Sequence, residues 1–211
     1  MHARLAHRVL REARIQAFKR PQLGPPGIGF RGGVVLEEQD NRLRHQRHGA
    51  PYDSFDPDAE YHHRVHGEFL YGGPVCRHFG HFMAEMVHRI VPSILLHGGL
   101  PFIFVTLAAK GDGVASLEMI PGYAQDVLRL LGIQENTFLL IDKNSIVDHL
   151  FVVQQGSHLG GPPEPGYLDD LREYIEPRLD AIHEGEKRPK KVYVSRKGMG
   201  GGFFLGEGYL E

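Results

Sequence analysis

Apolar and polar residues alternate between Tyr61 and Tyr71, with most apolar side chains at odd positions and polar ones at even positions. A period of two is typical of a strand with one buried face. Gly72-Gly73-Pro74 is expected to end this strand. Segments rich in apolar and β-branched residues predict further strands at 33–36, 101–106, 138–141, 149–153 and 191–194.

Three segments carry the apolar spacing of helices. The first spans about 79–96, with a core stripe of Phe79, Phe82, Met83, Met86, Val87, Ile90 and Ile94. The second spans about 121–131, between a proline suited to the first turn and a glycine suited to the C-terminal cap. The third spans about 167–182, with Leu168, Leu171, Ile175 and Leu179 facing inward.

Two prolines interrupt these helical patterns. Pro92 removes the usual hydrogen-bond partner of the His88 carbonyl and is expected to kink the first helix. Pro177 is expected to kink or split the third helix.

Strands that alternate with helices predict an α/β fold with a doubly wound, mostly parallel sheet. Sheets of this kind bind ligands at the carboxyl ends of their strands. We therefore look for candidate chemistry where predicted strands end and helices begin.

The first sixty residues show weaker order. Residues 1–20 are basic, and Leu5, Val9, Leu10 and Ile15 recur at loosely helical spacing. A surface helix or a disordered tail is the favoured interpretation, and an arm that contacts a membrane surface is the alternative. Residues 20–60 are rich in glycine, proline and charge, which predicts an irregular, loosely packed region.

Composition narrows the function classes. Hydrophobic residues make up 41% of the chain and charged residues 24%, which is typical of a soluble globular domain. The net charge of -2 argues against a protein that coats nucleic acid. The single cysteine, Cys76, cannot form an intramolecular disulfide, and we interpret it as an inert thiol. The sequence contains neither an apolar stretch of membrane-spanning length nor a secretory signal, so we expect a cytoplasmic protein.

The first predicted helix carries a second, polar face. His78, His81, Glu85 and His88 follow one another at spacings of three, four and three, and Arg89 lies four residues after Glu85 and can pair with it. Three interpretations compete for this face: general acid–base catalysis, a metal site, and a structural ion pair on a solvated surface. The spacing does not match the His-Glu-x-x-His zinc pattern.

Two further features suit a ligand. Gly72, Gly73 and Gly80 allow a ligand to approach the backbone closely. The strand at 191–194 leads into Ser195, Arg196 and Lys197, which would place two cations and backbone N–H groups at a strand end. Such a group of donors suits the phosphate of a nucleotide-sugar.

These two motifs, in this order, resemble glycosyltransferase family 61, the capsular-polysaccharide and plant xylan type. The family has a Phe-Gly-His-Phe segment that opens a helix, followed by an acidic residue and an arginine. The corresponding positions here are 79–82, Glu85 and Arg89. The family also has a strand ending in Tyr-x-Ser-Arg, which matches 193–196, and a Leu-Phe-Val-Val strand at 150–153. Departures include His88 before the arginine, where members often have proline, and only one basic residue, Lys197, after Ser-Arg.

The resemblance implies the N-terminal half of a GT-B glycosyltransferase that transfers a sugar, with inversion, from a nucleotide-sugar donor to a polysaccharide or glycan hydroxyl. It implies catalytic roles for His81, Glu85 and Arg89, with either Glu85 or His81 as the base. Substrate-binding roles fall to His78, Gly80, Ser195, Arg196 and Lys197. We expect no cofactor and no metal.

The residue patterns and the resemblance together predict the domain organisation. Residues 1–60 form an irregular N-terminal region, 61–185 a Rossmann-like acceptor-side domain, and 186–211 a linker and the first strand of a truncated donor-binding domain. Two alternatives remain. One is a non-catalytic fragment or pseudoenzyme, and the other is a metal-dependent hydrolase that uses the face of His78, His81, Glu85 and His88.

Overall fold

The computed structural model describes residues 3–19, 30–36, 41–75, 79–106, 120–182 and 184. Its nine strands are β1 His7–Lys19, β2 Phe30–Val34, β3 Gln46–Arg47, β4 Ala50–Pro51, β5 Asp53–Ser54, β6 His63–Val75, β7 Phe102–Thr106, β8 Phe138–Ile141 and β9 Ser145–Val153. Seven of them form one sheet in the order β5-β2-β1-β9-β6-β7-β8, and β3 pairs with β4 in a separate hairpin.

The described residues also form three longer helical segments, of which the first two connect strands and the third follows β9. Helix α1 is continuous over Phe79–His81, a π-helical turn Phe82–Met86, and Val87–His97. Helix α2 is Gly122–Leu130 and helix α3 is Tyr167–Ile182. All three predicted helices are therefore confirmed. Two of the residues predicted to face inward do not: Phe79 is 59% exposed and Leu168 is 50% exposed. A short 3₁₀ turn at Glu135–Thr137 precedes β8.

The sheet is mixed, with most pairs parallel. β6 pairs in parallel with both β7 and β9, β7 pairs in parallel with β8, and β2 in parallel with β5. β1 is antiparallel to its neighbours β2 and β9. The chain runs from β6 through α1 to β7 and through α2 to β8, and then returns to the opposite side of β6 as β9. An α/β fold is thus confirmed, and the strand order reverses between β6 and β9.

Two clusters of buried apolar side chains lie on the sheet. In β6, Leu70 belongs to one cluster, while Phe69 and Tyr71 belong to the other, as expected from the alternation of side chains along a strand. The cluster around Leu70 contains buried residues of α1 and α2, and Leu171, Tyr174 and Ile175 of α3 pack against it. The other cluster joins β1, β2, β6 and β9 to Leu43 from the segment before β3.

The N-terminal prediction was wrong. Residues 7–19 form neither a helix nor a tail; they form β1, which pairs with β2 on one side and β9 on the other. Ala13, Ile15 and Phe18 are buried there. The apolar spacing of this segment is loosely helical, but it forms a strand because β2 and β9 provide hydrogen-bond partners for the backbone of β1 on both sides.

The predicted end of the strand at Gly72 and the predicted split at Pro177 also do not occur. β6 continues through Gly72-Gly73-Pro74 to Val75. Its pairing with β7 is irregular between Tyr71 and Gly73, and the φ angle of Gly73 is +89°. A Cβ on Gly72 would lie 2.1 Å from the Phe104 ring, so close packing between β6 and β7 explains that glycine. Helix α3 runs past Pro177 without being split.

The described helices include none that is both long and apolar enough to cross a bilayer. The predicted strand at 191–194, the linker before it and Cys76 lie outside the described residues.

Candidate functional site

The first turns of α1 lie beside the carboxyl ends of β6 and β9, where the strand order reverses. In open α/β sheets this is the position at which ligand crevices form. Glu85 lies in the π-helical turn and its side chain is fully buried. Gln155, two residues beyond β9, donates from Nε2 to the Glu85 carbonyl at 3.4 Å, which links the helix to the strand end.

The Glu85 carboxylate is surrounded by nitrogen atoms. His45 Nε2 lies 2.5 Å from Oε2, Arg47 Nη2 lies 2.6 Å from Oε1, and His81 Nδ1 lies 2.7 Å from Oε1. Arg47 Nη2 is also 3.0 Å from His81 Nδ1, because both groups converge on the same oxygen. Only His81 comes from the same helix as Glu85, so the cluster joins α1 to the segment around β3.

These contacts determine the charge of Glu85. Burial by itself raises the pKa of this carboxyl group, but hydrogen bonds from His45 and His81 and the charge of Arg47 outweigh burial and lower the pKa to about 2. Glu85 is therefore ionised near neutral pH and can only accept hydrogen bonds. We assign a proton to His45 Nε2 and to His81 Nδ1, since both nitrogens face the carboxylate. Arg47 Nη2 also lies within donating distance of His81 Nδ1, at 3.0 Å, but the contact with the carboxylate is shorter, at 2.7 Å, and an unprotonated Nδ1 would place two acceptors against each other there.

In the tautomer with a proton on Nδ1, the lone pair of the His81 ring lies on Nε2. The His81 side chain is 31% exposed, whereas that of Glu85 is not exposed at all. A carboxylate that accepts from one imidazole nitrogen holds the ring in one tautomer and stabilises the imidazolium when the other nitrogen takes a proton. The pair can therefore work as a carboxylate-supported base, with the histidine as the group that reaches solvent.

The segment that supplies His45 and Arg47 is anchored at several points. The Arg47 guanidinium lies 3.7 Å from the centroid of the Tyr52 ring, and Arg44 pairs with Asp53 at 2.7 Å. The backbone N–H of Gln46 donates to Gln155 Oε1 at 2.7 Å. These contacts give the segment a defined position against α1.

Arg89 supplies the remaining anchor. It is 1% exposed and donates to the carbonyl oxygens of Leu43 at 3.0 Å, Arg44 at 3.0 Å and Val153 at 2.6 Å, and to Gln155 Oε1 at 3.3 Å. The predicted ion pair between Arg89 and Glu85 does not form between these two described residues. The donors of Arg89 are instead taken by backbone carbonyls and by Gln155, all from segments distant in sequence.

His88 is likewise separated from His81 and Glu85. Its Nδ1 lies 2.8 Å from the Tyr167 hydroxyl at the start of α3, and burial lowers the pKa of its imidazole. The His88 carbonyl, whose helical partner Pro92 removes, accepts the Gly156 N–H at 2.8 Å instead. Of the described members of the expected face, His81 and Glu85 are therefore in contact, whereas His88 contacts Tyr167.

Several predicted site residues can be placed and others cannot. His81 and Glu85 are in contact, Arg89 acts on backbone carbonyls, and Gly80 lies exposed in the first turn of α1. His78, Ser195, Arg196 and Lys197 lie outside the described residues. Among the described residues, no group of three or more histidine, cysteine or acidic side chains is arranged to hold a metal ion.

Sequence reasoning missed three residues of the site, namely His45, Arg47 and Gln155. The only local signal was the occurrence of two chemically active side chains in His45-Gln46-Arg47, within a stretch that otherwise reads as irregular. Nothing in the spacing of that tripeptide indicates that it lies against a helix that begins more than thirty residues later.

The sequence and structure of this chain were compared with those of known proteins. No model of a known protein family matches the chain, and neither a curated protein nor a solved structure matches it.

Proposed function

We propose that this chain is the acceptor-side domain of an inverting glycosyltransferase, which transfers a sugar from a nucleotide-sugar to a hydroxyl of a polysaccharide or glycan. His81 is the general base and Glu85 orients it. The observation that carries the proposal is the 2.7 Å contact between His81 Nδ1 and the buried, ionised Glu85 at the strand-order reversal. The motif resemblance to glycosyltransferase family 61 supplies the reaction class.

In this reaction His81 Nε2 takes the proton of the acceptor hydroxyl. The hydroxyl oxygen forms a bond to the anomeric carbon of the donor, and the bond from that carbon to the diphosphate oxygen breaks. The nucleoside diphosphate leaves with the electron pair, and the imidazolium later releases its proton to water. Glu85 stabilises the imidazolium, because an anion next to a positive ring lowers its free energy.

The choice of His81 over Glu85 as the base rests on protonation and access. A carboxyl group whose pKa is lowered to about 2 is a weak base near neutral pH, and a fully buried side chain does not reach an acceptor sugar. The His81 side chain is 31% exposed, and in the Nδ1–H tautomer its Nε2 carries a lone pair that can accept a proton. Arg89 becomes a structural residue in this proposal, since it holds the backbone of Leu43, Arg44 and Val153.

The strand order supports a Rossmann-like domain as part of the same proposal. Counted from β6, the four parallel strands β8-β7-β6-β9 have the order 3-2-1-4, which is that of the first strands in a doubly wound nucleotide-binding sheet. A diphosphate contact through Arg196 and Lys197 stays a prediction, as does a cytoplasmic location with peripheral contact at the inner membrane face.

Release of nucleoside diphosphate tests the proposal. The full chain is incubated with a panel of UDP-, GDP- and CMP-linked sugars (CMP release is followed for the last), with and without xylan and capsular oligosaccharides. We expect acceptor-dependent release and a product linkage of inverted configuration. His81→Ala and Glu85→Gln are each expected to reduce transfer by about 100-fold or more.

The matched control is His62→Ala. His62 also contacts a glutamate, Glu60, at 3.0 Å, but both side chains are at least 80% exposed. We expect it to keep wild-type transfer. Near-normal transfer by both site variants would exclude His81 and Glu85 from the chemistry. If the chain binds oligosaccharides but transfers sugar from none of the donors, the result would support a non-catalytic fragment or pseudoenzyme instead.

A further inference from the structure

A second histidine touches the carboxylate that orients the proposed base. His45 is 5% exposed, and its Nε2 lies 2.5 Å from Glu85 Oε2. His81 lies against the other oxygen, Oε1, at 2.7 Å. Glu85 therefore bridges two imidazole rings, one buried and one partly exposed.

We infer that His45 is a positioning residue, which holds Glu85 in the orientation that keeps His81 in the Nδ1–H tautomer. This inference rests on the proposed function, because it assigns a role in preparing the same base. His45 itself acts through Glu85 and has no contact with the reacting hydroxyl.

An unrestrained glutamate carboxylate can turn about its terminal bond. The terminal torsion of a glutamate side chain is soft and roughly two-fold, so its two oxygens can exchange positions or tilt out of plane. A donor on Oε2 removes that freedom, because rotation would break a short charge-assisted hydrogen bond. Oε1 then stays directed at His81 Nδ1, with Arg47 Nη2 on the same oxygen.

His45 is itself held firmly enough for this role. Its backbone N–H donates to Asp53 Oδ2 at 3.1 Å, and its carbonyl accepts the N–H of Tyr52 at 2.7 Å. Arg89 holds the two preceding carbonyls, those of Leu43 and Arg44, at 3.0 Å each. Groups that orient a ligand or a base in this indirect way commonly change its effectiveness by about 10- to 100-fold when removed.

Arg47 has a different role at the same carboxylate. It supplies the positive charge that balances Glu85 in a buried position, and its guanidinium stacks on Tyr52. Loss of Arg47 would leave a buried anion and threaten the fold itself. Burial lowers the pKa of His45, so its ring is neutral near neutral pH. It therefore orients the Glu85 carboxylate through a hydrogen bond and does not supply a charge.

Nitrogen NMR of the full chain, labelled with ¹⁵N-histidine, tests the inference without any substrate. Long-range proton–nitrogen correlations near pH 8 distinguish a protonated from an unprotonated ring nitrogen in each neutral histidine. Single histidine-to-glutamine variants assign the signals. In the wild type we expect His81 protonated at Nδ1 and His45 protonated at Nε2.

Two variants of His45 then separate the effect of its hydrogen bond to Glu85 from the effect of its ring packing. His45→Phe keeps a planar ring but removes the donor, and we expect His81 to become a mixture of tautomers. His45→Gln keeps an N–H donor, and we expect it to restore the Nδ1–H form at least in part. In the transfer assay His45→Phe should lower kcat by about 10-fold with KM little changed, and His45→Gln should recover part of that loss.

The outcomes distinguish this inference from the proposed function. If wild-type His81 carries its proton on Nε2, the proposed base is wrong and the role of His45 is wrong with it. If His81 is protonated at Nδ1 in the wild type and stays so in His45→Phe, the inference alone is overturned. Should His45→Phe fail to fold, the wild-type spectrum still decides, because a wild-type His45 protonated at Nδ1 contradicts the inferred contact.

Discussion

Replacement of Glu85 by glutamine tests how much the buried cluster stabilises the protein. The substitution keeps the shape of the side chain but removes its charge, and it turns one accepting oxygen into an NH₂ group that faces a donor. The Arg47 side chain, 9% exposed, then retains its charge beside a neutral amide. Removal of one partner from a buried ion pair commonly costs about 3–5 kcal/mol.

The lowered pKa of Glu85 leads to a similar magnitude. The difference between the ordinary value of 4.5 and about 2 in the folded protein corresponds to about 3 kcal/mol of stability, at about 1.4 kcal/mol per pH unit. Because the pKa is lower in the folded state, this contribution is complete above the unfolded-state value. It is lost as the pH falls towards about 2. Glu85→Gln should therefore be least stable relative to wild type at neutral pH, and the difference should shrink in acid.

Urea unfolding followed by circular dichroism at a series of pH values from 7 to 3 measures this difference. Glu68→Gln is the matched control, since Glu68 lies 3.7 Å from His149 with a side chain 56% exposed. We expect the control to change the free energy of unfolding by less than about 0.5 kcal/mol. A Glu85→Gln protein within about 0.5 kcal/mol of wild type at pH 7, or a deficit that does not vary with pH, would refute the reasoning.

Three further substitutions probe the frame around the site by urea or thermal unfolding. Arg89→Lys should cost about 3 kcal/mol, because one ammonium cannot reach four acceptors fixed by a planar guanidinium; a neutral result would mean that those carbonyls find other donors. Gly156→Ala should cost about 1–3 kcal/mol, since its Cβ would lie 2.2 Å from the Tyr167 ring; wild-type stability would show that the ring moves aside freely. Tyr167→Phe should cost about 1 kcal/mol through the lost hydrogen bond to His88, and an unchanged melting temperature would contradict that contact.

Much of the helix-bearing part of the fold was predictable from local patterns. The alternation in β6 correctly assigned Val65, Phe69 and Tyr71 to one buried face, and the helical spacing located α1, α2 and α3. His81 and Glu85 were placed together because residues four apart on a helix are neighbours. These successes share one cause: each depends on contacts within a short stretch of chain.

The failures depend on contacts between distant stretches. Residues 7–19 became a strand because β2 and β9 offer hydrogen bonds on both sides, and no local feature of that stretch encodes those partners. Arg89 and His88 likewise took partners from distant stretches, namely the Leu43 carbonyl and the Tyr167 hydroxyl, which their spacing from Glu85 does not indicate.

Local periodicity was thus enough to predict an α/β chain with a histidine–glutamate pair at the start of a helix. The tertiary structure decided what surrounds that pair, namely His45 and Arg47 from a segment with no regular pattern, and Gln155 from beyond β9. The physical reason is that a helix repeat specifies neighbours three or four residues apart. A buried carboxylate instead takes its donors from whatever the folded chain brings to it, and only that arrangement makes Glu85 an ionised support for His81.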